Sequence, residues 1–242
     1  MTNQESGHIF KRFDSELQHL HGLVLEMGEL AVSQLRDALQ TLTDEDPEKA
    51  RKVIDNDAKL NELDVRADDE MIRLMARRQP VARDLRELIA VGKIVSELER
   101  SGDEARKIAG LTIRFFEAGG KPPNEEILSD IFSLSEYVSE MLSLSLEAFH
   151  SLDLDKAAEV LSKGFKLDKQ LQSILRRLST FIMEDPRNVG HFVEIVLGIR
   201  ALERFGGHAK NIAGHIIFIT HGVDVRHAGD EAILRSIREQ NQ

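Results

Sequence analysis

Four polar residues of the predicted second helix are spaced so that they share one face. At roughly 100° per residue they fall within about 60° of one another. They are Asp57, Asn61, Asp64 and Asp68. Such an acidic ridge has two interpretations. It binds a hard cation through its oxygen atoms, or it is a solvated face whose charges pair with Arg66, Arg100 or Arg106.

The histidines form no recognisable catalytic or zinc-binding pattern. His19 and His21 are two residues apart and therefore point to different faces of a helix. His208 and His215 share a face, but no acid at that spacing completes a set of three zinc ligands. The sequence has no HExxH motif, no glycine-rich phosphate loop, no suitably placed Glu-x-x-His pair and no cysteine. We therefore expect no catalytic residue and no required cofactor.

The composition disfavours several classes of function. The 242-residue chain carries a net charge of −10, with no Trp and one Tyr, which disfavours a nucleic-acid-binding protein. No apolar segment follows Met1, and no purely apolar run exceeds the four residues of 216–219, far below the roughly 20 residues that cross a bilayer. We expect a cytoplasmic protein that reaches a membrane only through its partners.

Long segments rich in Leu, Glu, Ala, Arg and Lys predict an all-α fold, because strand-like alternation and hairpin turns are missing. Prolines and capping residues divide these segments. Asp46 and Asp185 each precede a proline and predict helix starts, whereas Asp153 supplies the cap where no proline occurs. The six predicted helices are 8–43, 47–78, 81–117, 125–151, 154–184 and 187–221.

An internal repeat divides the chain into two similar halves. Residues 98–110 and 202–214, which are 104 positions apart, share eight of thirteen residues, and Lys59-Leu60 recurs as Lys166-Leu167. The repeat predicts two tandem three-helix bundles joined at the Gly- and Pro-rich segment 118–125. The predicted domains are 1–118 and 125–222, followed by a C-terminal tail, 223–242.

Five short motifs are spread over most of the chain. They are Ala76–Pro80, Glu97–Ile108, Met183–Arg187, Leu202–Gly206 and Val225–Glu231. These motifs closely resemble those of the PhoU family, and Glu97–Ile108 is similar to the signature helix of that family. The two-repeat layout matches as well.

The resemblance implies a negative regulator of phosphate uptake and of the phosphate regulon. Proteins of this family are thought to act by contact with the phosphate ABC transporter and a membrane histidine kinase. We accordingly expect a non-enzymatic cytoplasmic regulator whose partners are the transporter ATPase and the sensor kinase. The alternative is a metal-binding helical bundle with a storage or enzymatic role, and a third reading is a structural adaptor without metal.

The family is also known for Glu/Asp-x-x-x-Asp motifs that hold metal clusters in some members. Glu99 and Asp103 match that motif and lie at the edge of the apolar stripe of their helix. If the second and third helices pack side by side, this motif and the acidic ridge converge. The site predicted for the first repeat comprises Asp57, Asp64, Asp68, Glu99 and Asp103. Clustered carboxylates suit divalent or ferric ions.

The second repeat departs from this pattern. Glu203 is retained, but Gly207 replaces the expected aspartate, and the only acid left in the ridge is Asp168. His208 could substitute as a ligand. We therefore predict a weaker second site formed by Asp168, Glu203 and His208.

Two apolar segments at the ends of the third and sixth helices suggest self-association. Phe115 and Phe116 end one helix, and residues 216–219 lie at the corresponding place in the other. Four consecutive apolar residues cover every face of a helix, so that one side is exposed unless another chain or the C-terminal tail covers it. With the precedent of PhoU relatives, this pattern predicts a homodimer.

Overall fold

Every regular element in the described part of the chain is helical. The computed structural model describes residues 3–117, 123–184, 187 and 189–223, with side chains from residue 13 onward. Its helices are α1 (Asn3–Thr43), α2 (Pro47–Asn56), α3 (Ala58–Arg78), α4 (Ala82–Glu117), α5 (Glu125–Ser151), α6 (Leu154–Glu184) and α7 (Val189–His221). The predicted all-α fold is confirmed. The Asp185-Pro186 start signal, most of the linker and the tail beyond Val223 lie outside the described residues.

Local capping signals set the helix boundaries. The Asp46 carboxylate accepts a hydrogen bond from the Lys49 backbone N–H at 3.0 Å, and Pro47 occupies the first turn of α2. Asp153 accepts from the backbone N–H groups of two residues at the start of α6. Gln79 ends α3 in the left-handed conformation, with φ 49°, which turns the chain before Pro80.

The predicted second helix is interrupted at a single residue, Asp57. Its dihedral angles remain helical, with φ −58° and ψ −25°, but its backbone N–H bonds to the carbonyl of Ile54, three residues back, at 3.3 Å. This tightened turn separates α2 from α3. The six-segment pattern read from the sequence is otherwise retained.

The helices pack as two bundles that meet along α4 and α7. α1, α2, α3 and α4 form the first bundle, and α5, α6 and α7 form the second. α4 runs antiparallel to α7, since Phe115 packs on His191 near one end and Lys93 lies over Phe218 near the other. α1 also contacts α5, whereas α3 and α6 contact helices of their own bundle alone within the described ranges.

Equivalent glycines allow close helix packing in both bundles. A Cβ atom on Gly102 of α4 would collide with Leu60 of α3, and one on Gly206 of α7 would collide with Leu167 of α6. Both glycines and both leucines occupy matching positions of the repeat. The small residue at this position is therefore required by the packing in each bundle.

The apolar segments predicted to promote self-association are mostly buried. Phe115 is 2% exposed, while Ile216, Ile217 and Ile219 are 0–2% exposed. The reason is the position of α7, which contacts α4, α5 and α6 at once, so that nearly all of its faces are covered by this chain itself. Phe116 and Phe218 are half-buried. The expectation of an exposed apolar surface at these residues is therefore wrong.

Candidate functional site

The acidic residues predicted for the first repeat come together between α3 and α4. Burial raises the pKa of Glu99, and the nearby charges of Asp103, Asp64 and Asp57 raise it further. Burial also raises the pKa of Asp64, followed by the charge of Asp68. Arg106 contacts both Asp57 and Asp103 and α3 packs against α4, so the ridge and the Glu99–Asp103 pair form one cluster. Asp68 lies at its exposed end.

Asp57 is the buried end of this cluster. It is 5% exposed, and burial raises its pKa although the charge of Arg106 acts in the opposite direction. Its carboxylate lies 3.2 Å from the position that a Cβ atom on Gly102 would take, and Gln34 Oε1 lies 3.0 Å from the same point. Gln34 and Asp57 thus form a buried polar pair where α1, α3 and α4 cross.

Arg106 stands among these carboxylates. Its Nη1 lies 3.5 Å from Asp57 Oδ2, and its Nη2 donates to Asp103 Oδ1 at 2.6 Å. Of the three arginines considered from the sequence, Arg100 instead approaches Glu97, at 4.0 Å. Arg106 neutralises part of the charge that would attract a cation.

The side chains as placed do not form a closed metal cage. Within the described ranges, no group of three or more Asp, Glu or His side chains is arranged to hold an ion. The donor set is nonetheless rich in oxygen atoms, which suits hard cations. A cation at this cluster would have to displace Arg106 and draw the carboxylates closer together.

The predicted residues of the second repeat lie in different surroundings. Asp168 is exposed on α6, Glu203 pairs with Arg200, and His208 reaches across to the first bundle. At the crossing equivalent to that of Gln34 and Asp57 stand Val138 and Gly164. The second repeat therefore lacks the buried polar pair of the first.

Comparisons with known proteins agree with this two-repeat architecture. The family model described as "PhoU domain" matches twice, at residues 24–112 and 131–216. This chain belongs to the PhoU family. The two matches cover α4 and α7 for most of their length, and they contain all eight residues predicted as metal ligands.

PhoU relatives are similar over nearly the whole chain. The phosphate-specific transport system accessory protein PhoU homolog of Pseudomonas aeruginosa is 38% identical and covers 95% of this chain and 94% of its own length. The phosphate-specific transport system accessory protein PhoU of Escherichia coli K12 is 33% identical, and the match covers 93% of this chain and 92% of that protein.

Solved PhoU structures share the fold. The crystal structure of PhoU from Pseudomonas aeruginosa has a TM-score of 0.81 and 36% sequence identity, and covers 87% of this chain and all of that chain. The crystal structure of the phosphate transport system regulatory protein PhoU from Streptococcus pneumoniae has a TM-score of 0.79 and 26% sequence identity. It covers 88% of this chain and 99% of that chain. No helix in the described part of this PhoU chain has the length and apolar character needed to span a membrane.

A charged contact between α4 and α7 of this PhoU fold was missed by sequence reasoning. Glu97 of α4 accepts hydrogen bonds from His208 Nδ1 at 2.6 Å and from Asn211 Nδ2 at 3.2 Å. Burial raises the pKa of Glu97, but these hydrogen bonds and the charges of His208 and Arg100 outweigh it, so that the pKa is lowered.

A second pair crosses the same boundary. Arg204 donates through Nε and Nη2 to the two carboxylate oxygens of Glu104, each at 2.8 Å. Burial raises the pKa of Glu104, but the hydrogen bonds from Arg204 and Lys107 lower it more strongly. The repeat gave no signal for this contact, because its counterpart by repeat position, Arg100 with His208, does not form and both of these residues instead approach Glu97. We call Glu97, Glu104, Arg204 and His208 the inter-repeat clamp.

Proposed function

We propose that this protein is a non-enzymatic cytoplasmic regulator of phosphate transport that represses phosphate uptake and the phosphate regulon. The observation that carries the proposal is the similarity to proteins named as accessory proteins of the phosphate-specific transport system, which extends over 93–95% of the chain. A helical bundle of this kind acts by presenting surfaces to other proteins. Its proposed partners are the ATPase of the phosphate ABC transporter and the membrane sensor kinase.

Deletion and capture experiments test this function separately. Removing the gene from its source organism should raise the expression of phosphate-starvation genes in phosphate-replete medium, and the intact gene should restore repression. Affinity capture of the tagged full chain from the same cells, read by mass spectrometry, should recover the transporter ATPase or the kinase. Normal repression in the deletion strain, or recovery of neither protein, would refute the proposal.

A metal-binding role, with storage or enzymatic activity, is the second candidate. It is supported by the carboxylates gathered around Arg106, which contacts Asp57 and Asp103. The pKa values of Asp57, Asp64 and Glu99 are raised first by burial and then by neighbouring carboxylates, and a bound cation would favour their charged forms. The second repeat offers fewer carboxylates, so the first should bind divalent ions more tightly.

Calorimetric titration with Mn²⁺ tests this asymmetry. Asp103→Ala should reduce binding more than Glu203→Ala, since the first removes a ligand from the crowded cluster. Equal losses, or a loss with Glu203→Ala alone, would contradict the assignment to the first repeat. Titration with ferric citrate extends the same comparison to ferric ions.

Self-association is proposed as a homodimer on family precedent, although the surface first predicted for it is buried. Light scattering at high micromolar concentration should detect a species near 55 kDa, twice the chain mass of 27.3 kDa. A species of one chain mass at every concentration would contradict it.

A further inference from the structure

Two neighbouring cavities, of about 750 and 500 Å³, lie along the groove between α1 and α5. Val32, Arg36 and Ser143 line both of them, so the two cavities form one continuous groove. Small side chains on α5, those of Ser139 and Ser143, leave room for the side chains of a second molecule to enter. The apolar side chains that line the groove are Leu25, Val32, Leu39, Phe132 and Leu146.

Two opposite charges in the larger cavity have no partner in the described part of the chain. Glu29 and Arg36 are both exposed on α1, and both line this cavity. Neither forms an ion pair or a hydrogen bond with another described residue. The other charged pair of the cavity is already satisfied, because Lys156 lies 2.7 Å from Glu147. The groove therefore offers a free carboxylate and a free guanidinium group.

These two charges are arranged symmetrically about the middle of the groove. They are seven residues apart, nearly two full turns, so they lie on one face of α1 and about 10 Å from each other along the helix. Their midpoint falls between Val32 and Ser33, which both line the larger cavity. A two-fold axis through this point, perpendicular to α1, places Glu29 of one copy beside Arg36 of the other, and the reverse. α1 is thus complementary in charge to an antiparallel copy of itself.

The facing residues of α5 have the same symmetry. Glu136 and His150 are exposed and line the groove, and neither bonds to another described residue. They are 14 residues apart, so their midpoint is Ser143, which lies beside Val32 at the junction of the two cavities. The axis that pairs the charges of α1 therefore also places Glu136 of one copy beside His150 of the other. Two independent pairs of free polar groups share one centre of symmetry.

We infer that a second copy of this chain docks on the α1–α5 groove, with the two copies face to face and each helix antiparallel to its counterpart. The inference rests on the homodimer proposed above and names the surface that forms it. A second copy supplies the charge that each free group lacks. The remaining carboxylates of the groove, Glu140 and Glu147, pair with Lys163 and Lys156. This face therefore carries little net charge on a chain whose net charge is −10, which limits repulsion between the copies.

Charge reversal on α1 tests the interface, with sedimentation velocity of the full chain as the measurement. Glu29→Arg and Arg36→Glu should each raise the dissociation constant of the dimer at least tenfold, because each brings like charges together twice per dimer. An equimolar mixture of the two variants should recover dimers near the wild-type dissociation constant, since each variant then supplies the charge that the other lacks. The double variant Glu29→Arg/Arg36→Glu should likewise dimerise like wild type.

The matched control is Glu62→Arg, because Glu62 is exposed on α3 and does not line the groove. It makes the same change of charge as Glu29→Arg and should leave the dissociation constant of the dimer unchanged. Circular dichroism melts verify that each variant is folded.

Three other outcomes would each exclude a different claim. Wild-type dissociation constants in both single variants would exclude this groove while leaving the homodimer intact. Single variants that weaken the dimer but recover neither in the mixture nor in the double variant would exclude the antiparallel pairing of Glu29 with Arg36. A wild-type chain that stays monomeric at every concentration would refute the homodimer and this interface together. The regulatory function would be unaffected by that result, because the deletion and capture experiments test it separately.

Discussion

Arg204 of the second bundle and Glu104 of the first form a two-pronged ion pair, with both N–H···O distances at 2.8 Å. The glutamate side chain is 6% exposed and the arginine is 48% exposed, so the carboxylate depends on its partners for the hydrogen bonds that water would otherwise provide. The pair joins residues 100 positions apart and ties the two bundles together.

Glu104→Gln should lower the free energy of unfolding by about 1–3 kcal/mol, because it weakens the charge-assisted bonds to Arg204 and Lys107. Guanidinium denaturation measures the change. Glu70→Gln is the control, since Glu70 pairs with Arg73 at 3.4 Å on the surface and should cost less than about 1 kcal/mol. Equal losses in the two variants would contradict a special role for the clamp.

The clamp also predicts a loss of stability in acid. The pKa values of Glu97 and Glu104 are lowered in the folded protein, so the unfolded chain binds protons first as the pH falls. Their contribution is therefore complete above the ordinary carboxyl pKa of 4.5 and is lost as the pH falls through the lowered values.

The Glu97→Gln/Glu104→Gln double variant should lose less stability than wild type over this acidic interval, because its amides do not titrate. Denaturation curves collected from neutral pH down to about pH 3 measure the slope against pH. If the unfolding free energy falls with pH at the same slope in both proteins, other carboxylates cause the loss of stability in acid.

Replacing Gly102 or Gly207 with alanine should change the stability of the protein in opposite directions. Gly102→Ala should destabilise by about 1–3 kcal/mol, because its Cβ atom would collide with Leu60. Gly207→Ala should stabilise by up to about 1 kcal/mol, since nothing lies within 4 Å of its Cβ position and alanine favours a helix. Thermal melts distinguish the two, and destabilisation by both would contradict the packing described.

Arg106 should compete with any cation at the acidic cluster. Arg106→Gln removes the positive charge that contacts Asp57 and Asp103, so Mn²⁺ affinity should increase several-fold by calorimetry. Arg66→Gln is the matched control, because Arg66 is exposed on α3 and pairs with none of these carboxylates within the described residues. Unchanged or weaker affinity in Arg106→Gln would show that the cluster does not bind Mn²⁺ where Arg106 now lies.

The sequence could predict that the acidic residues of α3 and α4 lie close together, because this depends on helix periodicity and on the packing of two adjacent segments. Asp64 and Glu99 each lie on a predictable helix face, and α3 packs on α4 as neighbouring segments of an antiparallel bundle should. The position of Arg106 was ambiguous, since its long side chain can reach several acids. Its choice of Asp57 and Asp103 depends on atomic packing.

The sequence by itself determined the helical class, most of the helix boundaries and the two-fold repetition, because periodicity, caps and internal similarity are local properties of the chain. The break at Asp57 between α2 and α3 was not among them. Only the tertiary structure decided which faces the two bundles bury against each other. The apolar residues 216–219 suggested an exposed surface, but the position of α7 among α4, α5 and α6 buries most of them. Likewise, His208 became a partner of Glu97 rather than a second-repeat ligand, because contacts between distant segments depend on how whole helices pack.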